Sequence, residues 1–267
     1  MKLTESDLDK IQRDYFVLAD QVDLSIGSYY YKFCSIDSRF MELFGAKVFD
    51  LVGIKHAQYE YIQEKGCLLS KDLNTEERLY SCYDLYIMRA NTLEQVMRAM
   101  DKLEIQGGYD VSKVKLQIEI MHFIDILFSN IDRHISNFGF YLHPDGVVEL
   151  VVLDNEYFLQ NFRIATRPMA CGDDEIEEQD FMGLSKRYEA TKFFESMSDE
   201  LRELIPKYLE LFSPSRVEVM LNSLEDEQCL GWPNKRYSLR RYKKNYNMVC
   251  KLLGLETRKI FGRTLKK

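Results

Sequence analysis

Apolar positions recur along this chain with two different periods, and the change between them divides the sequence. Up to about residue 73 the apolar runs are short. Residues 15–34 are rich in β-branched and aromatic side chains and close on SIGSYYYKFC, whose alternation predicts a strand. From Asp37 or Ser38, the run SRFMELFGAKVFDLVG puts Phe40, Phe44, Val48 and Leu51 on one helical stripe, with Gly53 as the C-terminal stop. HAQYEYIQEKGCLLSKDL then predicts two strands around a turn at Lys65-Gly66. The first seventy or so residues thus form a small α+β unit.

Beyond about residue 74 the period lengthens to a helical one. NTLEQVMRAMDKL opens on an Asn91 or Thr92 cap and carries Leu93, Val96, Met97 and Met100 on one face. A Gly107-Gly108 break follows. The next helix places Val114, Ile118, Met121, Ile124 or Asp125, and Phe128 at helical spacing, and it delivers the chain into NIDRHISNFG. FGFYLHPDGVVELVVLDNEYFL predicts a hairpin, with Pro144-Asp145-Gly146 as its turn. Three further amphipathic stretches, FFESMSDELRELIPKYLELF, SPSRVEVMLNSL and YSLRRYKKNYNMVCKLLGL, make the C-terminal portion mostly helical.

A length of 267 residues suits one large domain or two modest ones. With 46% apolar and 30% charged residues the composition is globular, and a net charge of -7 argues against a general nucleic-acid or anionic-membrane binder. The start, MKLTESDLDKIQRDYF, lacks the apolar run of a signal peptide, and no stretch has the length of a membrane helix. A cytoplasmic protein is expected, and export as an effector without a signal peptide is compatible with that. The cysteines, Cys34, Cys67, Cys82, Cys171, Cys229 and Cys250, show no metal-ligand spacing and are expected to be reduced, buried thiols. The acidic run DDEIEEQD is expected to be a solvated loop or helix start, and His122 a core histidine.

Candidate chemistry enters at residues 130–139. Asp132 and Asn137 stand five apart on a loop, and Asp154 follows just past the hairpin. Phosphoryl transfer needs such parts: one carboxylate beside the acceptor hydroxyl, and an asparagine and a second carboxylate for magnesium ions that bridge the phosphates. The order acid, asparagine at plus five, hairpin, acid is that of protein kinases.

The segment LFSNIDRHISNFGFYLHPDGVVELVVLDNEYFL resembles the catalytic region of HipA-like serine/threonine kinases, a family that includes the CtkA-type secreted bacterial kinases. YYYKF, ELFGAKVFDLVGIKHAQY and LLSKDL are similar to that family's N-terminal lobe, so the resemblance spans about residues 28–160. It implies an α+β, two-lobed protein-kinase-like fold, with a small, reduced N-terminal lobe over residues 1–73 and a mostly helical catalytic lobe over 74–267. By this resemblance Asp132 is the catalytic acid, and Asn137 and Asp154 are the magnesium ligands and complete the catalytic set. Lys32 is the phosphate-binding lysine and Glu42 its partner. ATP is implied as co-substrate, with the adenine against Leu69, Ser70 and Lys71. His134 joins the nucleotide-binding set by organising the loop, with Arg133, Asn130 and Asp125 as further hydrogen-bonding partners.

The activity implied is transfer of the γ-phosphoryl group of ATP to serine or threonine of a protein substrate, together with autophosphorylation at Ser25 or Ser28. Family members often belong to toxin systems or act as host-directed effectors. The sequence departs from the family at two places. Asn155-Glu156 follows the metal-binding acid where a glycine is usual, and only Gly27 represents a glycine-rich loop. A short N-terminal lobe leaves a role for a regulatory partner protein that completes the pocket. Two alternatives follow: a phosphatidylinositol-kinase-like lipid kinase, to which the basic run KRYSLRRYKK would contribute, and a kinase-fold nucleotide-binding module without turnover.

Overall fold

Alternation in the first third of the chain becomes an antiparallel sheet in the computed structural model, which describes residues 3–12, 19–75, 77–85, 92–130, 132–159, 187–228 and 234–255. Strands β1 (Ala19–Leu24) and β2 (Gly27–Lys32) pair as a hairpin in which Leu24 faces Gly27. The expected single strand is therefore two, because the chain reverses at Ser25-Ile26. Gly27 has φ 130°, a conformation that side chains disfavour. Asp7, on helix α1 (Glu5–Lys10), accepts hydrogen bonds from Ser25 N at 2.7 Å and Ser25 Oγ at 2.6 Å and pins the turn. Strands β4 (Tyr59–Ile62) and β5 (Cys67–Lys71) complete the sheet in the order β1-β2-β5-β4, with Gly66 at φ 65° in the expected turn.

Helix α2 (Ile36–Val52) begins where the Ser35 side chain accepts from Ser38 N, and ends at Gly53 in the left-handed conformation. Phe40, Phe44 and Val48 are buried as expected. Leu51 is 47% exposed, so the stripe is covered only as far as Val48. The middle of α2 is buried on every side, taking in Met41, Glu42, Leu43 and Gly45.

A second sheet has the order β3-β8-β7-β6, from β3 (Lys55–His56), β6 (Leu79–Ser81), β7 (Phe138–Leu142) and β8 (Val148–Val152). Strand β3 runs parallel to β8, with His56 beside Val152. It thereby ties the chain leaving α2 to the strand that leads into Asp154.

Helices α3 (Leu93–Gly107) and α4 (Ser112–Phe128) meet at Gly108, which is left-handed, and Thr92 caps α3 by accepting from Gln95 N. Val114, Ile118, Met121, Ile124, Asp125 and Phe128 of α4 are all buried. Among the described residues there follow α5 (Arg187–Ser196), α6 (Asp199–Leu211), α7 (Pro214–Gln228) and α8 (Lys235–Leu252). The stretch read as one helix across Met197 is two, because Ser198 caps α6 and gives its N–H to Glu119 of α4 at 3.1 Å. On α8 the Asn245 side chain donates to the carbonyls of Ile126 and Leu127, fixing the end of α4. Cys67, Cys82 and Cys250 are buried free thiols and Cys34 is half-buried; Cys171, Cys229 and the acidic run DDEIEEQD lie outside the described residues. Among the described residues no helix is long and apolar enough to cross a membrane.

Candidate active site

Helix α4 ends at Ser129, a non-glycine residue at φ 55°, and the reversal is held by side chains rather than by further helix. Asn130 gives its side-chain amide to Asp125 Oδ1 at 2.9 Å and accepts from Asp132 N at 3.2 Å. Arg133 is fully buried and uses its whole guanidinium. It meets Asp125 in a two-pronged pair at 3.0 and 3.1 Å, the carbonyls of Asn137 at 3.2 Å and Asp154 at 2.5 Å, and Asn155 Oδ1 at 2.8 Å. The planar fork of arginine suits such a hub, and a lysine could not supply it. One buried cation thus ties together the end of α4, the loop and the segment after β8.

On that frame Asn137 donates its side-chain amide to Asp132 O at 2.6 Å, and its carbonyl accepts from Leu153 N at 2.9 Å. The amide nitrogen being engaged, the amide oxygen is what Asn137 has to offer a cation. His134 is exposed and accepts from Ser136 N at 3.2 Å, while its Nε2 lies 3.8 Å from Asp132 Oδ2. Burial, together with the charges of Asp154 and Glu156, raises the Asp132 carboxyl above its ordinary value, against the pull of His134. Asp132 therefore has the character of a proton acceptor more basic than a surface aspartate.

The second half of the site is built by β2, α2 and the end of β8. Lys32 Nζ lies 2.8 Å from Glu42 Oε1, 3.0 Å from Asp154 Oδ2 and 2.9 Å from Glu156 Oε2. Burial works against the Lys32 charge, but the three carboxylates hold its ammonium above the ordinary value. Burial and the neighbouring Asp154 push Glu42 up, against the pull of Lys32 and its hydrogen bonds from Lys32 and Asn155 N. Burial also works to raise Asp154, yet Lys32 and the Glu156 N–H, which donates to Asp154 Oδ1 at 3.1 Å, keep it below its ordinary value. Glu42 accepts from Asn155 N at 2.8 Å, and Tyr59 donates to Leu153 O at 2.6 Å. Glu42, Asp154 and Glu156 each bring an oxygen within 4.8 Å of the others. Hard carboxylate oxygens of this kind are of the class that fits a magnesium ion.

Asp132, Asn137, Asp154, Lys32, Glu42 and His134 therefore gather around one site. The nucleotide-wall residues divide. Lys32 faces Leu68 across the β2–β5 pairing, so Leu68 and Ser70 share its side of the sheet while Leu69 and Lys71 point to the other. Leu69 is buried there with Val22, Leu24, Tyr31 and Ile62, so its side chain does not reach the Lys32 face, and Lys71 is exposed. The Ser25 hydroxyl is engaged by Asp7, and that of Ser28 by Asp23.

Arg133, expected as one of several hydrogen-bonding partners of the loop, is its hub, and one participant, Gly45, was not singled out in the sequence. Gly45 lets α2 approach the segment after Asp154, because a Cβ there would lie 2.4 Å from Asn155 Cβ. Glu156 pairs with Lys32; its acidity two residues beyond Asp154 was the available signal.

Comparison with solved structures places this architecture. The chain matches the proinflammatory kinase CtkA of Helicobacter pylori with a TM-score of 0.59 and 16% identity, over 88% of this chain and 92% of that one. It matches HipA of Shewanella oneidensis MR-1, solved with HipB and its operator DNA, with a TM-score of 0.55 and 14% identity, over 93% of this chain and 68% of that one. No family model and no curated protein matches the sequence. At these identities what is shared is the fold: an α+β kinase-like architecture.

Proposed function

We propose that this chain is an ATP- and magnesium-dependent kinase that transfers the γ-phosphoryl group to serine or threonine of a protein. The observation that carries the reading is the ion-paired set of Lys32, Glu42 and Asp154, which joins a strand lysine to an acid 122 residues away. That set follows the kinase template, in which a strand lysine pairs with a helix glutamate beside the metal-binding acid. In this reading Lys32 anchors phosphate, Glu42 orients Lys32, and Asp132 holds and accepts the proton of the acceptor hydroxyl. Asn137 and Asp154 would hold magnesium, which when bound neutralises charge on the phosphates. Arg133 keeps the carbonyls of Asn137 and Asp154 in place, so positioning and electrostatics supply most of the acceleration.

Incubation with labelled ATP, a generic protein substrate and phosphoinositide vesicles tests the proposal. Label is expected on serine or threonine of the protein, whereas label on lipid would favour a lipid kinase. Asp132→Asn is expected to reduce transfer by about a thousandfold while sparing nucleotide binding. The crowding of Lys32 by Glu156 favours a second reading, a nucleotide-binding module. Binding of ATP with no transfer to any acceptor would establish that reading and overturn the first.

A further inference from the structure

We infer that Glu156 is an internal stand-in for the nucleotide's phosphates: its carboxylate holds the phosphate-facing position of Lys32 in the ligand-free chain and has to leave when nucleotide binds. The inference rests on the nucleotide reading of this site. An ammonium has three hydrogens to donate. Three carboxylates surround that of Lys32, at 2.8, 3.0 and 2.9 Å. A phosphate oxygen can bond this ammonium only if one of them withdraws.

The three are not equally free to go. Glu42 is wholly buried in the middle of α2, and its other oxygen accepts from Asn155 N. Asp154 is held on both sides, its Oδ1 by Glu156 N and its carbonyl by Arg133. Glu156 has a longer side chain than Asp154 and lies on the turn after β8, so it can swing out without disturbing a strand or a helix. Its carboxylate also bonds the neighbouring Tyr157, a contact that can travel with it. Incoming phosphate brings further negative charge to a cluster that already holds three acids and one lysine. Repulsion therefore drives out the acid that is least anchored.

The consequence is a reduced apparent affinity. If Lys32 is free of Glu156 about one-tenth of the time, nucleotide binds about tenfold more weakly than to a permanently open site. Glu156→Gln keeps the shape and removes the charge. Titration calorimetry with a non-hydrolysable ATP analogue in EDTA is expected to give about tenfold tighter binding for Glu156→Gln than for the wild type. The gain is expected to vanish when Lys32→Met is added, because it acts through that ammonium. Equal or weaker binding by Glu156→Gln in EDTA would overturn the inference, and a loss seen only with magnesium would make Glu156 a metal ligand instead. Should wild type, Glu156→Gln and Glu156→Gly all fail to bind the analogue with and without magnesium, the nucleotide reading itself falls and takes this inference with it.

Discussion

The two halves of the site bury charge in opposite ways. Around Arg133 one guanidinium finds an acceptor for every N–H, and the acid it pairs with, Asp125, is also bonded by Asn130. Around Lys32 one ammonium faces three carboxylates. A buried charge is tolerated when it is paired and fully hydrogen-bonded. The Arg133 half meets that condition within the chain. The Lys32 half holds surplus acid, and among the described residues one ammonium faces it. The difference separates a part that holds shape from a part that, in the reading proposed above, a cation with an anionic ligand completes.

The contrast breaks most severely at Arg133. Arg133→Met leaves Asp125 buried without its partner, and removing one member of a buried ion pair costs about 3–5 kcal/mol. Urea denaturation is expected to show a loss of that size together with loss of phosphoryl transfer; a loss below about 1 kcal/mol would mean that the hub does not hold the loop. A smaller effect is expected between the halves, at Gly45. Alanine inside a helix ordinarily stabilises by up to about 1 kcal/mol relative to glycine. Here the added Cβ meets Asn155 Cβ at 2.4 Å, so Gly45→Ala is expected to destabilise by about 1–3 kcal/mol. Recovery of part of that loss on adding Asn155→Gly would place the strain at this contact.

The same contrast explains what could be read from the sequence. Asp132, Asn137 and Asp154 were legible because a hydrogen-bonded loop and a hairpin fix their partners locally, so chain spacing stands in for distance. Helices α3 and α4 were legible from their stripes and from Gly108. Parity in β5 was not. Leu68 joins the main core and Leu69 the smaller cluster on the other face, so both faces are apolar and alternation carries no sign of which one Lys32 shares. Strand β3 has two residues, too few for any period, and is a strand only because β8 lies beside it. The break between α5 and α6 was hidden because apolar spacing continues through Met197, although Ser198 followed by Asp199 and Glu200 is a fair capping signal. The pairing of Glu156 with Lys32 is a long-range contact: the acid two residues beyond Asp154 signals a charge there but not the cation it meets.

The gentlest test lies one turn before Asp125 on the same helix. His122 is buried against the edge of the Phe193 ring, with centroids 4.8 Å apart, and burial pushes its imidazole down to about 3 from an ordinary 6.5. Helix α4 therefore buries one titratable group as a paired acid and another as a neutral base. Between pH 6.5 and about 3 the unfolded chain binds a proton at this position that the folded chain refuses. The stability His122 contributes is thus complete above pH 6.5 and falls as the pH drops towards 3. At pH 5 the loss is about 2 kcal/mol, from 1.36 kcal/mol for each unit below the unfolded value. His122→Leu removes this proton while keeping an apolar side chain. Unfolding free energies of the two proteins, measured by urea denaturation from pH 7 to pH 5, are expected to shift relative to each other by that amount in favour of the variant. Parallel curves would show that His122 takes up its proton within the folded chain, and the division of α4 into a charged end and a neutral interior would not hold.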